Sequence, residues 1–261
     1  MSPAKASRAL ALTVLGTATP YPRPDRPCSG YLVRAGDIRV WVDAGPGTLA
    51  NLQRHTSIEQ LSAIWISHLH ADHAADLLSA YYALAFGGVH APAPIPVYGP
   101  AGLVARLAGF LGRPGTDTDF VTPFLDVHEL VDAHQVEIGG LRLTTHAVSH
   151  DVPAFGLRAE YDGQVIAYSG DTGPCSALDR LAADADLFLC EAEATSWPAG
   201  SPQVHLTPED AGAAAQRARA ALLVITHVGP SLTPEEATTR AAEVFDGQVR
   251  MAREGDTYPA A

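Results

Sequence analysis

The run His68-Leu69-His70-Ala71-Asp72-His73 constrains this chain more than any other. It follows Ile64-Trp65-Ile66-Ser67, a short apolar stretch that reads as a buried strand. It precedes residues 74–86, which read as a helix beginning near Asp72 or Ala74. Three histidines and one aspartate are therefore expected on a strand-to-helix loop. Histidines two apart on extended backbone point to one side and can hold one metal ion. The following turn swings Asp72 and His73 towards a second. Imidazole and carboxylate suit zinc, and also manganese or iron. A histidine-rich surface loop has no reason to gather four such donors directly behind an apolar strand. Four residues cannot close two sites, so further ligands are expected later in the chain.

Other strand-like runs rich in Val, Ile and Leu lie at 9–15, 30–34, 38–43, 95–98, 126–131, 134–138, 141–149, 154–161, 164–169, 186–190 and 222–226. Gly36-Asp37, Gly139-Gly140 and Asp162-Gly163 are hairpin turn signals between neighbours. Thr207-Pro208-Glu209-Asp210 combines a hydroxyl cap, a proline at the first helical position and acids in the first turn. Thr233-Pro234-Glu235-Glu236 repeats that signal before a helix reaching about Val244. Residues 101–111 and 176–183 also read as helical. Antiparallel hairpins in the middle, with helices around them, predict an α/β sandwich with helices outside two sheets. Neither 87–96 nor 192–204 is long enough for a linker, so 1–261 reads as one domain.

Composition narrows the partners. Apolar residues make up 47% of the chain, enough for a large core, and the net charge is -12. Without a dense Lys/Arg run, that field disfavours nucleic acid. No stretch of about 18 apolar residues is present, so no membrane helix is expected. Lys5, Arg8 and the run Ala9–Leu15 imitate a signal peptide, but the run is too short and ends at Gly16 like a first strand. Cys28, Cys175 and Cys190 lack paired-cysteine zinc spacing and read as reduced thiols of a cytoplasmic protein. His146 and His150 share one face of the 141–149 strand by parity, so either could be a ligand. His55, His90, His128 and His134 stand outside any motif.

The HxHxDH run resembles the signature of the metallo-β-lactamase fold superfamily, and four further stations follow in order. They are Val42-Asp43-Ala44-Gly45-Pro46-Gly47, Ser149-His150-Asp151-Val152-Pro153-Ala154-Phe155-Gly156-Leu157-Arg158, Tyr168-Ser169-Gly170-Asp171-Thr172-Gly173 and Ile225-Thr226-His227-Val228. The resemblance implies a four-layer αββα sandwich. It implies two divalent metal ions, the first on His68, His70 and His150, the second on Asp72, His73 and His227, with Asp171 bridging. The Pro-Ala-Phe-Gly-Leu-Arg that follows His150 selects it over His146. Asp43 would lie beneath, orienting a ligand imidazole.

Asp171 stands where the zinc β-lactamases carry a cysteine, which argues against antibiotic hydrolysis. The stretches after His150 and around Asp171 resemble the branch that holds ribonuclease Z and small cyclic-phosphate phosphodiesterases. Ribonuclease Z carries a tRNA-gripping arm between these motifs, whereas only 20 residues separate His150 from Asp171 here. The expected substrate is a small phosphodiester, with the chain most like actinobacterial cyclic-nucleotide phosphodiesterases, which are commonly homodimers. A water bridging the two ions would act as hydroxide. Beside Asp72, the expected catalytic residues are His205, which resembles the family's proton donor to the leaving alkoxide, and its acidic partner Glu191. Arg26, Arg158, Thr17, Thr19 and Ser29 are candidate pocket residues, and Trp197 a candidate stacking lid. The competing readings are a carboxyl-ester hydrolase (lactonase or thioesterase), a tRNA 3′-processing endonuclease, and a metal-binding module without turnover.

Overall fold

Strand parity sorts the apolar residues into three layers, and the layers define the fold. In this computed structural model, which describes residues 9–115, 117–198 and 200–260, the chain forms two sheets of seven strands. The first holds β1 (Leu10–Gly16), β2 (Gly30–Ala35), β3 (Ile38–Val42), β4 (Ala63–Trp65), β5 (Ile95–Gly99), β6 (Leu125–Glu129) and β14 (Thr257–Pro259), in the order β14-β1-β2-β3-β4-β5-β6. The second holds β7 (Gln135–Ile138), β8 (Leu141–Ala147), β9 (Phe155–Tyr161), β10 (Gln164–Tyr168), β11 (Leu187–Ala192), β12 (Leu222–Val228) and β13 (Gln248–Met251), in the order β13-β12-β11-β10-β9-β8-β7.

Leu10, Leu12 and Val14 of β1 share a buried cluster with Leu157, Ile166, Leu187 and Leu189 of the other sheet. The alternate residues turn outward, as period-two geometry requires. Ile64 and Ile66 pack beneath α1 (Thr48–Leu52), α2 (Ala71–Ala74), α3 (Asp76–Phe86) and α4 (Leu103–Phe110). Phe188, Cys190 and Ile225 pack beneath α5 (Ala177–Leu181), α6 (Pro208–Ala218) and α7 (Pro234–Ala242). Each fully buried Leu or Ile contributes about 1.5–3 kcal/mol. The result is the four-layer αββα sandwich.

All three turn signals close hairpins, pairing Ala35 with Ile38, Ile138 with Leu141 and Tyr161 with Gln164. At Gly139-Gly140 and Asp162-Gly163 both residues take positive φ, the two-residue turn that matches strand twist. Thr207 and Thr233 both cap their helices, each exchanging hydrogen bonds with the third residue on, Asp210 and Glu236.

The structure departs from the sequence reading in four places. Helix starts at Ala71, so Asp72 and His73 stand in the first turn rather than on the loop. The helix expected over 74–86 divides into α2 and α3 at Ala75. Strand β11 continues to Ala192, which puts Glu191 inside it, opposite Thr226 of β12. The edge strands β13 and β14 and the five-residue α1 were not expected; each is too short to show a period. Lys5 and Arg8 lie outside the described residues.

β3 to β6 run parallel, as do β10 to β13, and β8 shares the direction of β10 through antiparallel β9. The carboxyl ends of β3 and β4 therefore meet those of β8, β10, β11 and β12 at one end of the sandwich. That is where open α/β sheets collect their ligands.

Candidate metal centre

On the first sheet the centre is built over Asp43. This residue leaves β3 with a left-handed φ of 55° and is fully buried. Its Oδ1 accepts from the Ser67 amide at 2.7 Å. Its Oδ2 accepts from Ser67 Oγ at 2.8 Å, His73 Nδ1 at 2.7 Å and the Tyr168 hydroxyl at 2.8 Å. Asp43 thus joins the end of β4, the helix α2 and the opposite sheet. Backbone bonds from Ala44 to the His73 carbonyl (2.7 Å) and from Asp76 to the Ala44 carbonyl (2.8 Å) clamp α2 and the start of α3 against this loop. The approach requires Gly45, where a Cβ would collide with the Asp72 carbonyl.

These contacts fix the imidazole protons. Ser67 Oγ commits its hydrogen to Asp43, so it accepts from His68 Nδ1 at 3.0 Å. His150 Nδ1 donates to the Val204 carbonyl at 2.8 Å. His68 and His150 thus present a bare Nε2 to the centre, the state a metal ligand needs. His227, in β12 with a φ of 49°, is held through Nδ1 by Ser29 Oγ at 2.9 Å.

Asp171 enters from the second sheet after β10, and its Oδ2 lies 3.2 Å from His73 Nε2, 3.1 Å from His227 Nε2 and 3.7 Å from His68 Nε2. Among the described residues five groupings have ligand atoms within 4.8 Å of one another: His68 with His70 and His150, Asp72 with His73 and His227, His68 with His73 and Asp171, His150 with Asp171 and His205, and Glu193 with His205 and His227. His70 Nδ1 and His150 Nε2 are 3.3 Å apart. His68 Nε2, His73 Nε2 and Asp171 Oδ1 are buried without a hydrogen-bond partner. Buried polar atoms without partners are costly, and three converging on one point call for a cation.

Electrostatics agree with that demand. Burial holds His68 well below its ordinary value, and the neighbouring His73 adds to the effect. Burial acts the same way on His73, but Asp171 and Asp43 outweigh it and drive its proton affinity well up. Asp171 resists its own burial because His227 and His73 hold it well below the usual carboxylate range. A divalent ion can replace the proton that His73 otherwise keeps. The donor set of imidazoles and carboxylates fits zinc, manganese or iron.

Beside this centre, His205 lies between two carboxylates. Its Nδ1 donates to Glu191 Oε1 at 2.9 Å, and its Nε2 lies 2.7 Å from Glu193 Oε2. Burial disfavours a charged ring, but hydrogen bonds to Glu191 and Glu193 prevail and push its pKa up to about 11. Its ring sits 5.0 Å from that of His150 and stacks on His227 at 5.9 Å. Glu191 is fully buried, and the amides of Thr172, Glu193 and Leu206 also donate to it.

Glu193 and Tyr168 were not singled out from sequence. No local signal marks Glu193, which stands just past the end of β11 and beyond a register shift between Glu191 and Ala192. Trp197 donates its indole N–H to the His205 carbonyl at 3.1 Å and walls a cavity of about 350 Å³ with Glu193 and His205. Among the candidate pocket residues, Ser29 orients His227, Thr17 donates to Glu254, and Thr19 makes a long 3.4 Å contact to Glu193. Arg26 lines a smaller cavity beside Gly229. Arg158 instead donates to the Leu181 and Ala183 carbonyls at the end of α5. His146 has Arg180, Asp132, Arg158 and Glu160 as its charged neighbours.

Comparison with known proteins places this architecture. The chain is 36% identical to the uncharacterized protein ML1173 of Mycobacterium leprae, over 95% of this chain and 87% of that protein. It is 33% identical to a ribonuclease Z of Mycobacterium bovis, over 93% of this chain and 95% of that protein. The crystal structure of YhfI from Bacillus subtilis, a metallo-β-lactamase fold protein, superposes with a TM-score of 0.84 at 24% identity, covering 96% of this chain and 99% of that one. Residues 38–228 match the family model described as the beta-lactamase superfamily domain, and the chain belongs to that superfamily.

Proposed function

We propose that this metal-dependent hydrolase cleaves small phosphodiesters, cyclic nucleotides foremost, at a dinuclear centre. His68, His70 and His150 would hold one divalent ion, Asp72, His73 and His227 the other, with Asp171 between them. Zinc is the ion we assign, with manganese or iron able to occupy the same donors. When bound, such ions activate water and neutralise charge on a phosphoryl group. The observation that carries the dinuclear reading is the presence of two separate donor groupings, His68 with His70 and His150 and Asp72 with His73 and His227, with Asp171 Oδ2 within 3.7 Å of His68, His73 and His227.

The chain's own residues supply the rest. Asp43 keeps His73 oriented and its Nδ1 protonated. When charged, His205 carries two protons: Glu191 holds the one on Nδ1, and the one on Nε2, which lies 2.7 Å from Glu193 Oε2, is the proton a leaving alkoxide would take. The small-substrate reading draws on two features. A tight hairpin, β9 to β10, fills most of the chain between His150 and Asp171. The net charge of -12 opposes a polyanion. We place the protein in the cytoplasm, where its three free cysteines stay reduced. No helix among the described residues is long and apolar enough to cross a membrane.

A second reading, tRNA 3′ processing, draws on the likeness to ribonuclease Z. A screen of metal-loaded protein over 3′,5′- and 2′,3′-cyclic nucleotides, linear dinucleotides, a lactone panel and a tRNA precursor separates the readings. Turnover of cyclic nucleotides well above the others is expected. Equal or faster processing of the tRNA precursor would overturn the small-substrate reading, and lactone turnover alone would move the protein to carboxyl esters.

A further inference from the structure

Glu191 and Glu193 are two residues apart and flank the same imidazole, but they are built differently. Glu191 is fully buried, and three backbone amides fix its carboxylate. The Glu193 carboxylate has His205 Nε2 at 2.7 Å and the long contact from Thr19 at 3.4 Å. Its side chain keeps 23% of its exposure and faces the cavity shared with His205 and Trp197. Glu191 alone suffices to orient His205. The second carboxylate leaves the Glu191–His205–Glu193 group with a net negative charge even when the ring is protonated. Glu193 Oε2 also lies 3.8 Å from His227 Nε2, so it borders the centre where the substrate's phosphoryl group would bind.

We infer that Glu193 is a specificity-determining residue, which favours singly charged phosphodiesters over doubly charged phosphomonoesters. The inference rests on the phosphodiesterase reading, because a monoester is the product that such a reaction must release. A diester carries one negative charge, whereas a monoester carries close to two above its second pKa near 6. A carboxylate a few ångströms away repels each charge, so the dianion is penalised about twice as much as the monoanion. Partly screened by solvent, the dianion's penalty corresponds to about tenfold in affinity and the monoanion's to no more than about threefold. Glu193 therefore weakens the binding of product more than that of substrate.

Matched probes test this without turnover. Calorimetry at pH 8 on the full-length, zinc-loaded protein would compare methyl phosphate with dimethyl phosphate, which differ by one charge at nearly the same size. Glu193→Gln is expected to bind methyl phosphate about tenfold more tightly, with dimethyl phosphate changed less than about threefold and zinc content unaltered. Glu193→Asp, which keeps the charge, is expected to retain the wild-type ratio. Equal tightening of both anions, or no change in either, would overturn the inference. Loss of zinc from Glu193→Gln would overturn it too, by making Glu193 a metal ligand. Failure of the wild type to hydrolyse any diester would remove the phosphodiesterase reading and leave these binding ratios standing.

Discussion

The two flanks of the centre are encoded in opposite ways. On the first sheet, His68, His70, Asp72 and His73 come from six consecutive residues, placed by one strand end and one short helix. On the second, His150, Asp171, His205 and His227 belong to four separate segments around β8, β10, β11 and β12. The first flank is a local structure that Asp43 ties together. The second exists only when neighbouring strands are in register, as when Glu191 pairs with Thr226, the residue before His227. Two tyrosines join the flanks across the core: Tyr168 donates to Asp43, and Tyr31 meets Thr226 at 2.7 Å. A contiguous motif can thus hold half of a site, but the other half is a property of the packed sandwich.

Asp171 is where the flanks converge, so its removal is expected to have the largest effect. Asp171→Ala should release both ions and reduce turnover by on the order of 10³ or more. Elemental analysis checks it: His70→Ala, which touches only one grouping, should lose one ion where Asp171→Ala loses two. Retention of both ions in Asp171→Ala would show that the flanks bind metal independently. His205→Ala comes next, with kcat expected to fall about 10²–10⁴-fold while metal content stays intact. Unchanged turnover would sink the proton-donor role.

Asp43→Asn probes the first flank from below. The amide offers one acceptor where the carboxylate has two, against four donors from Ser67, His73 and Tyr168. Metal affinity is expected to drop about 10–100-fold, read by competition with a chelator. If affinity holds, orientation of His73 is not what Asp43 contributes.

The same asymmetry explains what could be read without coordinates. The six-residue run announces itself because metal chemistry, strand and helix signals coincide there. The hairpin turns and the two capped helices were legible for a similar reason, since turn and cap chemistry is local. On the second flank, spacing alone could not choose between His146 and His150, and His205 and His227 needed motif resemblance. Tyr168 and Asp43 stand 125 residues apart, so no local pattern pairs them. Glu193 looks like any polar residue after a strand until the fold brings His205 back against it.

The smallest expected effect separates helix stability from site geometry. Thr207→Ala and Thr233→Ala delete the same capping arrangement, each worth about 1 kcal/mol, or roughly 2–4 °C in Tm for a chain of this size. The two substitutions should therefore match in thermal denaturation. They should differ in turnover, because Thr207 lies two residues after His205, whereas Thr233 starts α7, beside a cavity that includes none of the site residues. Thr207→Ala should lower kcat several-fold with little change in metal content, and Thr233→Ala should leave it alone. Equal kcat in the two variants would mean that the second flank is held by its sheet and by Glu191, with the helix start contributing only stability.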